Sequence, residues 1–111
     1  MPTELALDIT RRPDGARTVV AAGEIDLSNV DALTRALAAA TAEPADGDAG
    51  IVVDLAAVEY VDSAVISALS ARAEQIERVI VNPLLVTVFT ISGLSELVTV
   101  ESASADADQS R

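Results

Sequence analysis

Large hydrophobic side chains, at Leu5, Leu7 and Ile9, alternate with small or polar ones over residues 4–10. This period of two is typical of a half-buried strand. A turn-forming stretch at residues 12–15 and a second apolar run at residues 18–22 follow. Together they predict an antiparallel hairpin, which residues 23–26 then lead away from the sheet.

The next apolar positions recur every three or four residues, as in an amphipathic helix. These positions are Val30, Leu33, Ala36, Leu37 and Ala40. Ser28, followed three residues later by Asp31, is placed to cap this helix. Pro44 and Gly47 lie in a polar stretch at residues 43–50, which predicts an exposed connector.

Residues 51–55 form a nearly continuous apolar run, which predicts a strand covered on both faces at the centre of a sheet. Asp62 and Ser63 come later, and either residue can cap a second helix. The apolar positions of that helix are Val65, Ile66, Leu69, Ala73 and Ile76. We therefore expect Ser63 to lie at a helix N-terminus.

Residues 78–81 predict another strand, and Asn82 followed by Pro83 is typical of a helix cap and a first helical position. Residues 86–91 contain β-branched side chains that also suit a strand. Gly93 fits the left-handed residue that closes a helix, and this favours a third helix over a strand.

Residues 97–100 predict a last strand. The order of elements predicts an α/β sandwich, with a mixed four- to five-stranded sheet, a parallel centre and about three crossover helices. We expect one domain over residues 1–101. Residues 102–111 lack large apolar side chains and predict a disordered tail.

The composition excludes several kinds of chemistry. The 111 residues contain no Cys and no His, so no disulfide, thiolate metal site or imidazole base can form. Only two residues are aromatic, Tyr60 and Phe89, which indicates a shallow surface and not a large pocket lined by rings. We expect no catalytic residue, no metal and no cofactor.

The net charge of −11 repels phosphate backbones and anionic lipids, so nucleic-acid and membrane binding are not expected. The sequence contains no basic leader followed by an apolar stretch. No apolar window approaches the roughly 18 residues of a membrane span. These features favour a soluble, cytoplasmic protein.

Four short motifs fall on matching predicted elements. They are Gly23-Glu24-Ile25-Asp26, Val52-Val53-Asp54-Leu55 with Val61-Asp62-Ser63, Val81-Asn82-Pro83, and Ser92-Gly93-Leu94. In this order and spacing they resemble STAS domains of the anti-sigma-factor-antagonist type over residues 4–100. The resemblance implies a STAS-like fold.

In the bacterial family that this chain resembles, the serine after the aspartate is phosphorylated by a partner anti-sigma kinase. The unphosphorylated form binds that kinase, which releases a sigma factor. The resemblance implies that Ser63 is the phosphorylation site and that the partner is an anti-sigma factor with a histidine-kinase-like ATPase domain acting on serine. It implies that the partner-binding residues are Asp26, Leu27, Ser28, Asp62, Ser63, Ala64 and Val65. A monomer or weak dimer is expected.

The chain departs from this family pattern in three ways. Val65 stands where a glycine is usual, and Ala64 replaces a second hydroxyl. The segment at residues 63–83 is several residues shorter than usual and lacks a glycine-rich turn.

Two other interpretations stay open. The chain is alternatively a STAS interaction module that is not phosphorylated, such as an accessory subunit of a transport or signalling complex. Asp62 and Ser63 alone also fit a simple helix cap. A serine hydrolase is disfavoured, because the chain lacks histidine and a Gly-x-Ser-x-Gly elbow.

Overall fold

The computed structural model describes residues 5–11, 17–42 and 50–103, which form five strands and three helices. The strands are β1 (Leu5–Arg11), β2 (Arg17–Ile25), β3 (Ile51–Val61), β4 (Ile76–Val81) and β5 (Thr99–Ser102). The helices are α1 (Val30–Ala42), α2 (Ser63–Ala71) and α3 (Val86–Ile91). Short 3-10 turns lie at Ala73–Gln75, Pro83–Leu85 and Leu94–Glu96.

The strands lie in one sheet in the order in which they occur along the chain. β1 pairs antiparallel with β2, and the pairs β2–β3, β3–β4 and β4–β5 are parallel. Each parallel pair is joined through a helix, because a tight turn cannot connect parallel neighbours. The predicted α/β fold with a mixed sheet and a parallel centre is confirmed, in its five-stranded form.

One buried hydrophobic cluster joins all three helices to the sheet. Its completely buried helical side chains are Leu33, Leu37, Val65, Leu69 and Phe89. Each side chain of this size contributes about 1.5–3 kcal/mol when it is removed from water. The cluster therefore fixes the position of each helix against the strands.

The strands β2 and β3 extend further than the sequence pattern predicted, to Ile25 and Val61. Their pairing contains two register shifts, typical of β-bulges. Gly23 lies at one shift with a φ of 112°, a left-handed conformation that favours glycine. At the other shift, the Asp54 carboxylate accepts a hydrogen bond from the Ala56 amide at 3.0 Å. These adjustments let the two strands continue together.

Helix α2 is shorter than predicted, and the boundary of the following strand moves with it. The helix ends at Ala71, and Ile76 belongs to β4 and not to the helix. The backbone changes to φ −118° and ψ 21° at Arg72, and the 3-10 turn Ala73–Gln75 then leads directly into β4. The junction between α2 and β4 is therefore compact.

The third helix is present, as the sequence favoured. The Asn82 carboxamide oxygen accepts a hydrogen bond from the Leu84 amide at 3.0 Å, and α3 follows the turn Pro83–Leu85. Gly93 has the predicted left-handed conformation, with a φ of 87°.

The last strand begins two residues later than predicted, at Thr99, and runs to Ser102. The cause is local, because the Val98 amide still donates to the Leu94 carbonyl at 3.0 Å and keeps this segment turned. Most of the tail predicted at residues 102–111 lies outside the described residues.

Candidate functional site

The parallel strands β2 and β3 end level with each other at their carboxyl ends. Ile25, the last residue of β2, pairs with Val61, the last residue of β3. Asp26 and Asp62 therefore leave the sheet at neighbouring positions. In open α/β sheets, ligands commonly bind beyond the carboxyl ends of the parallel strands. Two of the segments that contain predicted binding residues are thus brought together.

Asp62, and not Ser63, caps helix α2. Its backbone is extended, with φ −117° and ψ −174°, and its Oδ1 accepts a hydrogen bond from the Ala64 amide at 3.0 Å. The Asp62 carbonyl oxygen accepts from the Val65 amide, also at 3.0 Å. Asp62 therefore satisfies the amides that a helix N-terminus leaves without an intrahelical acceptor.

Ser63 is the first residue of α2, as predicted, and its side chain is exposed. Because Asp62 makes the cap, the Ser63 hydroxyl is not needed to cap the helix. Among residues 5–11, 17–42 and 50–103, no group forms a hydrogen bond with this hydroxyl. Ser63 therefore has an exposed hydroxyl, without a hydrogen-bond partner among these residues, at the carboxyl end of β3.

The second carboxylate oxygen of Asp62 reaches the loop between β2 and α1. Asp62 Oδ2 accepts a hydrogen bond from the Leu27 amide at 3.0 Å, across 35 residues of sequence. One carboxylate therefore binds the start of α2 and the neighbouring loop together. The Leu27 side chain is 76% exposed beside this bond.

The loop at residues 26–29 is ordered by its own polar side chains. Asp26 Oδ1 accepts from the Ser28 amide at 2.9 Å and from the Ser28 hydroxyl at 2.5 Å. Ser28 was predicted to cap α1, and this prediction is wrong. The hydroxyl donates to Asp26, while the Asp26 carbonyl accepts from the Val30 amide at 2.8 Å, where α1 begins.

Asn29 is a residue of this loop that the sequence did not single out. Its Oδ1 accepts from the Asp26 amide at 2.9 Å, and its Nδ2 donates to the Glu24 carbonyl at 3.0 Å. Asn29 thus ties the loop to the end of β2. The signal in the sequence was an amide side chain immediately before the helical period.

A largely apolar groove of about 460 Å³ runs between α2 and α3, next to Ser63. It is lined by Val61, Asp62, Ser63, Ile66, Ser67, Thr87, Val88, Ile91 and Ser92. Ile91 is 79% exposed and Val88 is 41% exposed. The sequence did not assign this groove, because it forms between α2 and α3 only when the chain is folded.

The residues after Ser63 differ in accessibility. Ala64 is half-buried, but the Val65 side chain is completely buried and packs in the core. The predicted contact role of Val65 is therefore corrected, because its side chain is not on the surface.

The described residues include no group of three or more acidic side chains arranged to hold a metal ion. None of the helices in the described part of the chain combines the length and hydropathy needed to cross a bilayer. The surface at the carboxyl ends of β2 and β3 contains a set of carboxylates, an exposed hydroxyl and an apolar groove.

Comparison with known proteins places this chain among domains with the same architecture. The sequence profile of a family described as "Mlab, STAS domain" matches residues 9–99. The structure resembles the crystal structure of an anti-sigma factor antagonist from Mycobacterium paratuberculosis. The TM-score is 0.79 at 24% identity, covering 94% of this chain and 90% of that chain. No curated protein sequence matches.

Two further solved structures share the fold. The anti-sigma factor antagonist SpoIIAA in its unphosphorylated form gives a TM-score of 0.69 at 16% identity, covering 92% of this chain and 91% of that chain. An uncharacterised protein from Shewanella loihica with a SpoIIAA-like fold gives 0.55 at 14% identity, covering 92% and 86%. At such identities the likeness shows the fold alone.

Proposed function

The chain belongs to the STAS domain family, and from this premise we propose that it is an anti-sigma factor antagonist whose binding is controlled at Ser63. The partner is an anti-sigma factor with a serine-kinase domain of the histidine-kinase-like ATPase type. Binding to this partner releases a sigma factor. The domain is a binding module and not an enzyme, and it works in the bacterial cytoplasm as a monomer or weak dimer.

One observation carries this proposal: Asp62 makes the helix cap and leaves the Ser63 hydroxyl exposed. If Ser63 made the cap, its phosphorylation would break the start of α2. Because its hydroxyl makes no structural bond within the described residues, a kinase can modify it while the domain stays folded. The positive end of the α2 dipole also tolerates added negative charge there.

The chemical step is transfer of the γ-phosphoryl group of ATP to the Ser63 oxygen. The new oxygen–phosphorus bond forms as the bond to ADP breaks, and the hydroxyl proton passes to a base of the kinase. The phosphate adds a charge of about −1.5 to −2 at pH 7. It stands next to the Asp62 carboxylate, so the modified surface is expensive to bury in an interface shaped for a neutral hydroxyl.

The groove between α2 and α3 supports docking independently of the charge. Ser63 lines the same groove as the exposed side chains of Val88 and Ile91. Apolar side chains of a partner can cover these surfaces, and each Å² of apolar surface removed from water contributes about 25 cal/mol to the free energy of binding. Attraction from the groove and control from Ser63 thus act at one site.

The test uses purified anti-sigma kinases of the source bacterium. With ATP, we expect one of them to modify Ser63, as seen by mass spectrometry. We expect Ser63→Ala to bind that kinase as the wild type does and Ser63→Glu to bind at least about tenfold more weakly. Ser95→Glu is the matched control, because Ser95 is also exposed but lies outside the groove.

A second pair of variants tests the groove. Ile91→Ser is expected to weaken binding about tenfold. Leu84→Ser is the control, because Leu84 is 76% exposed but does not line the groove. Binding that persists without modification of Ser63 would instead support a STAS interaction module that is not phosphorylated, such as an accessory subunit of a transport or signalling complex.

A further inference from the structure

The Asp62 carboxylate does more than a helix cap requires. A cap needs one acceptor, and Oδ1 supplies it to the Ala64 amide at 3.0 Å. Oδ2 accepts from the Leu27 amide at 3.0 Å, and this bond belongs to another part of the chain. The second bond therefore holds the loop at residues 26–29 in place and is not needed to cap the helix.

Fixing Leu27 contributes little to the core, because its side chain is 76% exposed. Leu84 offers a useful contrast, since it has the same exposure and its amide is bound by the neighbouring Asn82 at 3.0 Å. The Leu27 amide is held instead by a residue 35 positions away, directly before Ser63. The bond therefore fixes the backbone of Leu27, which carries an exposed apolar side chain, against the residue that precedes Ser63.

We propose that Asp62 is a positioning residue, which pins the loop at residues 26–29 to the start of α2 and so holds Leu27 in place as part of the partner-binding surface. This inference rests on the proposed function, because it assigns Asp62 and Leu27 their parts within that surface. Asp62 acts through Leu27, and Leu27 makes the contact.

Asp62→Asn separates the two bonds of Asp62. The Asn carboxamide oxygen can still cap α2, since Asn is as good an N-cap as Asp. Its NH₂ group then faces the Leu27 amide, so that two donors meet and the pin is lost. The variant should therefore keep the helix start and release the loop.

The first measurement needs no partner. Amide hydrogen exchange of the free protein is followed by NMR for the wild type and Asp62→Asn. We expect exchange of the Leu27 amide to become about tenfold faster, as for loss of a hydrogen bond to a charged group, while the Ala64 amide is unchanged. An unchanged Leu27 amide overturns the pin.

The second measurement is a double-mutant cycle on the dissociation constant for the purified anti-sigma kinase. If Asp62 positions Leu27, then Leu27→Ala weakens binding clearly in the wild type and much less in the Asp62→Asn background. Leu84→Ala, the equally exposed control, should have the same small effect in both backgrounds. Additive effects of Asp62→Asn and Leu27→Ala overturn the positioning role.

The two measurements also distinguish failure of this inference from failure of the proposed function. If no anti-sigma kinase binds the wild type, the proposed function fails, and with it the contact role of Leu27. Hydrogen exchange of the Leu27 amide still decides in that case whether Asp62 pins the loop.

Discussion

The start of α2 and the turn before α3 contain the same local bond but differ in the groups around it. Asp62 Oδ1 accepts from the Ala64 amide at 3.0 Å, and the Asn82 oxygen accepts from the Leu84 amide at 3.0 Å. Each acceptor binds the amide two residues ahead, which is the usual geometry of a side-chain cap. By this bond alone the two helix starts cannot be told apart.

They differ in what lies next to the cap. Pro83 follows the second cap and offers neither an amide hydrogen nor a hydroxyl, so that site is closed to modification. Ser63 follows the first cap with an exposed hydroxyl, and Asp62 has a second oxygen that binds Leu27. The Asn82 cap, which only supports the structure, and the Asp62 cap, which adjoins the candidate site, thus share one motif. The neighbouring groups distinguish them.

Removing each cap is expected to give the largest effect and to separate the two sites. Asn82→Ala loses one local bond and should lower the free energy of unfolding by about 1 kcal/mol. Asp62→Ala loses a cap and a long-range bond, so we expect about 2 kcal/mol. Urea unfolding measures both values. Equal losses would show that the Leu27 bond adds nothing to stability.

Most of the fold could be predicted from the sequence because its signals are local. The alternation at residues 4–10 and the apolar run at residues 51–55 mark strands that the structure contains. The end of α2 could not be predicted, because Ala73 and Ile76 continue the spacing of apolar residues that is typical of a helix. In the structure Ala73 lies in a 3-10 turn and Ile76 begins β4. Tertiary pairing with β3 overrides the local pattern there.

The candidate site was predictable only in part. The sequence placed Ser63 at a helix start but left open whether Asp62 or Ser63 made the cap, since both residue types do so. The bond between Asp62 and Leu27 joins two segments that meet because β2 and β3 end in register, through bulges that no local pattern shows. Val65 belongs to the apolar face predicted for α2, and its burial follows that pattern. Only the contact role that the family resemblance implied does not hold for its side chain.

Exchanging the residues after the two caps should have a moderate effect. Pro83→Ser is expected to lower the free energy of unfolding by about 0.5–1 kcal/mol, because the unfolded chain gains conformational freedom. Ser63→Pro should change it by less, because Asp62 already has the extended backbone that precedes proline and a first helical residue needs no amide hydrogen. Thermal unfolding measures both variants.

This exchange also tests the proposal that Ser63 is phosphorylated. Ser63→Pro keeps the cap and removes the acceptor, so the kinase should transfer no phosphate to the variant. A loss of more than about 2 kcal/mol in Ser63→Pro would mean that the two helix starts are less alike than their caps indicate.

The smallest expected effect on stability comes from the two exposed leucines, and it gives the sharpest contrast in binding. Leu27 and Leu84 are each 76% exposed, so Leu27→Ser and Leu84→Ser should each change the free energy of unfolding by no more than about 0.5 kcal/mol. Only Leu27→Ser should weaken binding of the anti-sigma kinase, measured by isothermal titration calorimetry, since only Leu27 is tied to the residue before Ser63. If both variants weaken binding equally, the surface extends over both helix starts, and the distinction between a support and a site does not hold.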